Sequence, residues 1–321
     1  MRSLFLLCLL LTTTLQSFCW GFFGHQRINH YAVFLLPPEM MVLYKPNISF
    51  ISEHSIDPDK RRYGVPDEAP RHYLDVDRYG TYPFPELPHN WDSAVAKYSL
   101  DTIMAHGIVP WHVQIMLQRL TYAFREKNFS SIIKNSAEIG HYIADAHVPL
   151  HASSNHNGQH TNQKGIHAFW ESRIPELLAE KQFDFFIGKA NYIKNPGSYI
   201  WDRFMESALA SDSVLRFERE LTQEFPSDRK YSFEERNGMV IRQYSTDFTR
   251  AYDKKLNGMV ERRMRQSIHT IASFWFTAWI NAGQPDLKGM SKQSFSEADV
   301  KEFEQLNRMW NTGKMLGRGE E

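Results

Sequence analysis

The chain has only two cysteines, Cys8 and Cys19, and both fall within its first 19 residues. Without that segment no thiol remains, which excludes disulfides, thiolate metal ligands and a cysteine nucleophile. Any chemistry then rests on histidine, carboxylates, hydroxyls, amines or metals. An excess of charge of one sign is also lacking: Lys+Arg and Asp+Glu are both 37, for a formal net charge of zero. This excludes a global basic field for gripping nucleic acid and leaves room only for a local basic patch. No internal repeat is visible, and strict period-two alternation is scarce. No apolar run reaches the roughly 20 residues that a membrane-spanning helix needs.

The first 19 residues read as a signal peptide. Arg2 supplies the positive start, Leu4 to Leu15 the apolar stretch, and Ser17 and Cys19 the small residues of a cleavage site. Cleavage before Trp20 would make the protein secreted or periplasmic. The expected organisation is a signal peptide over 1–19, one folded domain over 20–288, and a polar C-terminal extension over 289–321.

The body of the chain is patterned for helices, and the expected class is all-α, a single multi-helical domain. Apolar residues recur at helical spacing over Trp91–His106, Val109–Phe124, Ser130–Ala146, Ile166–Leu178 and Tyr199–Ala210. Ser130 or Ser131 is the expected cap of the third segment, and Pro149 its stop. Arg262–Ala282 reads as a long buried helix with Phe274, Trp275, Phe276 and Trp279 in its middle, ended by Gly283 and Pro285. Ser153–Gln163 reads as a loop. A further helix is expected near Ala298–Trp310, outside the core. Asn47-Ile48-Ser49 and Asn128-Phe129-Ser130 match a glycosylation acceptor pattern that chance also produces.

Chemistry concentrates where six of the 14 histidines fall, between His141 and His167. His141 and Asp145 are four apart on one expected helix, and His167 and Glu171 repeat that spacing on the next. Such pairs project from one helix face. One pair alone would be an ordinary helix-surface ion pair. Two pairs, with His151 between them just past the Pro149 break, point to a metal site. Neutral imidazole plus carboxylate suits zinc, with manganese and iron as alternatives. His147, His156 and His160 read as loop residues or neighbours of ligands. Upstream lie Asp57-Pro58-Asp59-Lys60-Arg61-Arg62 and Arg71-His72-Tyr73-Leu74-Asp75. Trp20-Gly21-Phe22-Phe23-Gly24-His25 begins at the expected cleavage point, where a freed α-amine and its own carbonyl can chelate a metal.

These motifs together resemble the superfamily of zinc-dependent phospholipases C and single-strand-specific nucleases, from Trp20 to about Ala282. The resemblance implies three zinc ions in a cleft between helices. It assigns Asp57, His72, His141 and Asp145 to one ion, with Asp59 competing for the place of Asp57; the spacing to His72 favours Asp57. It assigns the Trp20 amine and carbonyl, His25 and the other oxygen of Asp145 to a second ion, and His151, His167 and Glu171 to a third. The implied reaction is hydrolysis of a phosphodiester by a metal-bridging hydroxide, with Asp57 and Asp145 the carboxylates that hold the paired metals. Lys60, Arg61, Arg62 and Arg71 are candidate phosphate contacts, with a solvated basic stretch as the plain alternative.

Within the superfamily, Glu171 in the last ligand position and the short His151–His167 loop resemble the phospholipases. The tight Trp20–His25 spacing resembles the nucleases, whose usual disulfides are absent. Zero net charge fits a phospholipid or small phosphoester better than a polyanion. The expected function is therefore a monomeric phospholipase C-like phosphodiesterase, with a single-strand nuclease acting on DNA or RNA as the alternative. A non-catalytic metal-binding protein is the reading from a different class. Phe22, Phe23, Tyr63, Tyr73 and Phe169 are candidates to stack a base or to meet a membrane, each with core packing as its alternative.

Overall fold

The computed structural model describes residues 21–236 and 238–318. It is built of helices, with one two-stranded antiparallel hairpin among the described residues. Trp20, and with it the expected N-terminal metal ligand and the signal peptide, lies outside the described residues.

Five long helices make the frame: α1 (Gly21–Val33), α2 (Val109–Arg125), α3 (Phe129–Ala146), α4 (Pro196–Glu224) and α5 (Met259–Asn281). The link between α2 and α3 is three residues long, so they pack as an antiparallel pair, and α1, α4 and α5 close around them. Trp170, Trp201, Trp275, Phe124, Phe204 and Phe274 are all fully buried. The Trp275 indole N–H is satisfied by the Ser136 carbonyl at 3.0 Å, as a buried indole requires.

Local chemistry explains where the helices start and stop. Gly283, at φ +87°, ends α5: its N–H bonds to Ile280 O at 2.9 Å, and the Gln284 N–H bonds to Trp279 O at 3.0 Å. The cap of α3 is Asn128, whose side chain accepts from the Ser131 N–H at 2.9 Å, and not Ser130 or Ser131. Ser130 instead donates to Asp299 Oδ1 at 2.7 Å, tying α3 to the C-terminal helix. The single helix expected over 91–106 is two, Trp91–Tyr98 and Leu100–His106, because Ser99 sits at φ +70° and caps the second. The helix expected over 199–210 runs from Pro196 to Glu224.

The hairpin, β1 (Tyr231–Arg236) with β2 (Met239–Tyr244), was not anticipated by the helical patterning; Tyr231 pairs with Tyr244 and Phe233 with Arg242. The C-terminal extension forms Glu297–Thr312 (α6), in which no residue is fully buried. It lies as an outer layer over the short helix Asp57–Arg61, with Phe303 against Phe50 and His54, and Trp310 5.4 Å from Phe22.

Candidate metal centre

The middle of α3 passes unusually close to α1. A methyl group added at Gly140 would collide with the Asn29 amide at 2.0 Å, so only glycine allows this approach. Asn29 Nδ2 locks the contact by donating to Ala137 O at 2.9 Å and Ile51 O at 3.1 Å. One turn before Asn29 stands His25, and next to Gly140 stands His141. Their rings stack with centroids 3.9 Å apart. One turn further along α3, Asp145 faces the same space.

Four other segments deliver the remaining groups. The turn Ala69–His72 brings His72, and the turn Pro149–Ala152, begun by the proline that ends α3, brings His151. The helical stretch 166–182 brings His167 and Glu171. Its central turn, Phe169–Arg173, is π-helical. Pro175 has no N–H for the Glu171 carbonyl, so the regular ladder is interrupted there and the turn widens. The short helix Asp57–Arg61 brings Asp59.

Asp145 is the hub. Its Oδ2 lies 3.0 Å from His72 Nδ1 and 3.2 Å from His141 Nε2. Its Oδ1 lies 3.5 Å from His25 Nε2 and 3.7 Å from His151 Nδ1. Asp59 Oδ1 lies 3.6 Å from His141 Nε2 and 3.7 Å from His72 Nδ1. On the far side, Glu171 Oε2 is 3.0 Å from His167 Nε2 and 3.4 Å from His151 Nε2. Three sets therefore have ligand atoms converging within 4.8 Å: His25, His141 and Asp145; Asp59, His72 and His141; His151, His167 and Glu171.

Outer bonds fix which nitrogen faces inward. His141 Nδ1 sits 2.8 Å from the Ser55 carbonyl, which can only accept, so Nδ1 carries the proton and Nε2 offers a lone pair. His151 Nδ1 is held likewise by the His72 carbonyl at 2.6 Å. Lone pair then faces carboxylate, an arrangement that demands positive charge between the groups. Both nitrogens of His25, Asp145 Oδ1, His151 Nε2, His167 Nδ1 and Glu171 Oε1 are buried without a hydrogen-bond partner. So many unpaired polar atoms in one place are costly unless a cation satisfies the lone pairs among them. The electrostatics agree. Burial opposes ionisation of Asp145, but His141, His151 and His72 outweigh it and hold the carboxyl well below its usual range. Burial opposes charge on His151 too, yet Asp145 and Glu171 pull it up to about 9. Burial, then His141, pushes His25 well down.

The structure brings His25, His72, His141, Asp145, His151, His167 and Glu171 together. It does not bring Asp57. Asp57 accepts from Lys60 at 2.9 Å and lies 2.6 Å from His54 Nδ1, and the carboxylate facing His72 and His141 is that of Asp59. Two residues apart on a helix, the pair point to nearly opposite sides, so only one can reach the cluster.

The four basic candidates are engaged inside the protein. Arg61 bonds Glu138 at 2.7 and 3.1 Å, Glu68 at 3.2 Å and Tyr142 at 3.1 Å. Arg71 donates to Glu68 at 2.6 Å, Lys60 to Asp57, and Arg62 to the Arg318 carbonyl at 2.6 Å. These bonds, not an open phosphate cradle, account for their placement. Of the aromatic candidates, Phe169 is buried against Tyr244 and Tyr73 lies under Arg318, while Phe22 and Phe23 are half-buried and line a groove.

Glu68 escaped the sequence reading. It is fully buried, accepts from the Tyr142 hydroxyl, and sets Oε1 3.6 Å from His72 Nε2, on the side of the ring away from the cluster. Burial opposes its ionisation, but His72, Arg61 and Arg71 hold it far below the usual carboxylate range. Its four-residue spacing to His72 was the available clue. No protein-family model and no curated protein matches the chain.

Proposed function

We propose that this protein is a metal-dependent phosphodiester hydrolase of the phospholipase C-like kind. The observation that carries the reading is the convergence of seven buried His and carboxylate side chains, joined by Asp59, on one space, with polar atoms of His25, Asp145, His151, His167 and Glu171 buried there without a hydrogen-bond partner. The donor set, imidazole and carboxylate without thiolate, fits zinc. Asp59, His72, His141 and Asp145 would hold one ion; His25 and the other oxygen of Asp145 a second; His151, His167 and Glu171 a third. The chemistry zinc supplies in such a site is Lewis acidity, which makes water acidic near neutral pH and neutralises charge on phosphoryl oxygens.

The residues prepare that chemistry. Asp145 spreads its two oxygens toward two sets of ligands, the arrangement a bridging carboxylate needs. Ser55 O and the His72 carbonyl hold His141 and His151 in the tautomers that present Nε2 to the cluster. The cluster residues are almost wholly buried, which keeps bulk water from competing for the same atoms. With Lys60, Arg61, Arg62 and Arg71 committed internally, those four form no basic track for a nucleic-acid backbone, which favours the phospholipid over the polyanion.

The test is hydrolysis of phosphatidylcholine vesicles against that of single-stranded DNA and RNA by the purified protein, each with and without chelator. Chelator-sensitive release of a phosphorylated head group is expected. Chelator-sensitive strand cleavage instead would overturn the substrate and keep the metal centre. No hydrolysis of either, with metal bound, would leave a metal-binding protein without catalysis.

A further inference from the structure

The hairpin is an apolar protrusion bolted to the metal centre. Phe233 and Val240, both on the face that carries Tyr231, Arg242 and Tyr244, are 74% and 71% exposed, and Met239, next along the strand on the opposite face, is 45% exposed. Apolar side chains held out together on a two-stranded hairpin make an exposed patch of the kind that marks an interaction surface. The hairpin's base is rigid. Tyr244 stacks on Phe169 with centroids 3.8 Å apart, and Glu234 takes Arg173 in a two-pronged bond of 2.6 and 3.2 Å. Phe169 and Arg173 belong to the π turn that holds Glu171. Between the hairpin and Phe22 and Phe23 runs a groove of about 520 Å³, floored by Ala168 and Ser172, the chain neighbours of His167 and Glu171.

We propose that the hairpin docks the protein on a zwitterionic phospholipid bilayer, with Phe233, Val240 and Met239 entering its interface and presenting lipid head groups to the groove. Three observations select this occupant. The apolar tip is flanked by an amphipathic pair: Arg242 lies 3.6 Å over the Tyr231 ring, while Lys230, deeper at the base, is held by Glu218 at 2.8 Å. A cation and a tyrosine at that level suit phosphates at a membrane surface, while their stems cover apolar area. Glu235, in register with Val240, sets a negative charge beside the tip, which suits a neutral surface better than a strongly anionic one. Three side chains also fall well short of the roughly 800 Å² per partner that a stable second copy would need.

The inference builds on the phosphodiesterase reading for its substrate, but its test does not depend on catalysis. Flotation with phosphatidylcholine vesicles is measured for the full chain, for the double variant F233S/V240S, and for Y122S, whose residue is 63% exposed on α2 and serves as a control. The substituted side chains are exposed, so the fold is retained. Wild type and Y122S are expected to float, and the double variant to partition at least about tenfold more weakly, given the apolar area withdrawn from the interface. Chelator-sensitive hydrolysis of soluble bis(p-nitrophenyl) phosphate is expected to be unchanged in all three. Equal flotation of the double variant, or none of the wild type, would overturn the proposal. So would a double variant that loses only single-stranded DNA binding, or one that converts a dimer to a monomer on gel filtration. Vesicle binding without any phosphodiester hydrolysis would sink the enzymatic reading and leave the docking surface standing.

Discussion

Asparagine at position 59 and asparagine at position 57 should have opposite consequences. Asp59 stands 3.6 and 3.7 Å from His141 Nε2 and His72 Nδ1, and in the proposed centre its charge would serve the metal. Substituting a group that merely orients a ligand costs about 10–100-fold in affinity. Loss of a ligand's own charge therefore costs at least about 100-fold, or about 2.7 kcal/mol of binding free energy. Asp57 belongs to the fold. Its Oδ1 holds the Lys60 ammonium at 2.9 Å, and the Lys60 side chain is only 10% exposed. Asp57→Asn retains an acceptor oxygen but removes the charge opposite a buried cation, which costs about 1.5–3 kcal/mol of stability. The assay has two parts: zinc affinity in chelator-buffered solutions, and urea unfolding of the chelated protein. D59N is expected to lose zinc with little change in the urea midpoint, and D57N to keep zinc with a lowered midpoint. A D57N protein that loses zinc while D59N retains it would refute the placement.

Glu68→Gln should weaken zinc binding by about 10–100-fold, because Glu68 steadies the outer edge of His72; unchanged affinity would show that His72 is held without it. His112 is buried, and burial, then the charge of Arg71, pushes it down to about 3. Between there and the ordinary value near 6.5, the unfolded chain binds a proton that the folded protein refuses. Stability from this residue is thus complete above about pH 6.5 and lost as pH falls toward 3, by up to about 1.4 kcal/mol per pH unit. H112Q removes that slope, so denaturant unfolding of the chelated proteins should show the variant gaining on wild type below about pH 6; a constant difference would contradict the argument. Trp275→Ala empties a fully buried site between α3 and α5 and leaves Ser136 O without its donor, with an expected cost of about 3–5 kcal/mol in urea unfolding.

Much of this protein was legible before folding because helices are local. The i,i+4 pairs His141–Asp145 and His167–Glu171 are set by helix geometry alone, so their side chains share a face wherever the helix goes. The same locality made α2, α3 and α5, their glycine stop and the Ser153–Gln163 loop readable within a few residues. The cysteine count and zero net charge likewise bounded the chemistry without reference to any contact.

What folding alone decided depends on partners distant in the chain. Asp57 and Asp59 are equally acidic and only two residues apart in the chain, and spacing to His72 pointed to Asp57. Which one reaches the cluster is set by the face that the short helix turns toward α3, and the other carboxylate is claimed by Lys60 and His54. Arg61 and Arg71 read as free cations until Glu68, Glu138 and Tyr142 are brought around them. Glu68 carries no mark in the sequence beyond its spacing to His72, and its place is set by Tyr142, 74 residues away in the chain, which donates to it. The hairpin, six residues per strand, carries too short an alternation to stand out beside strong helical periodicity, and it is held by Phe169 and Arg173 from another segment. Spacing along a helix is a distance in space, whereas spacing across turns is not, so residue types and local pairs could be read from the chain while the full ligand set had to wait for the packing of five segments around Asp145.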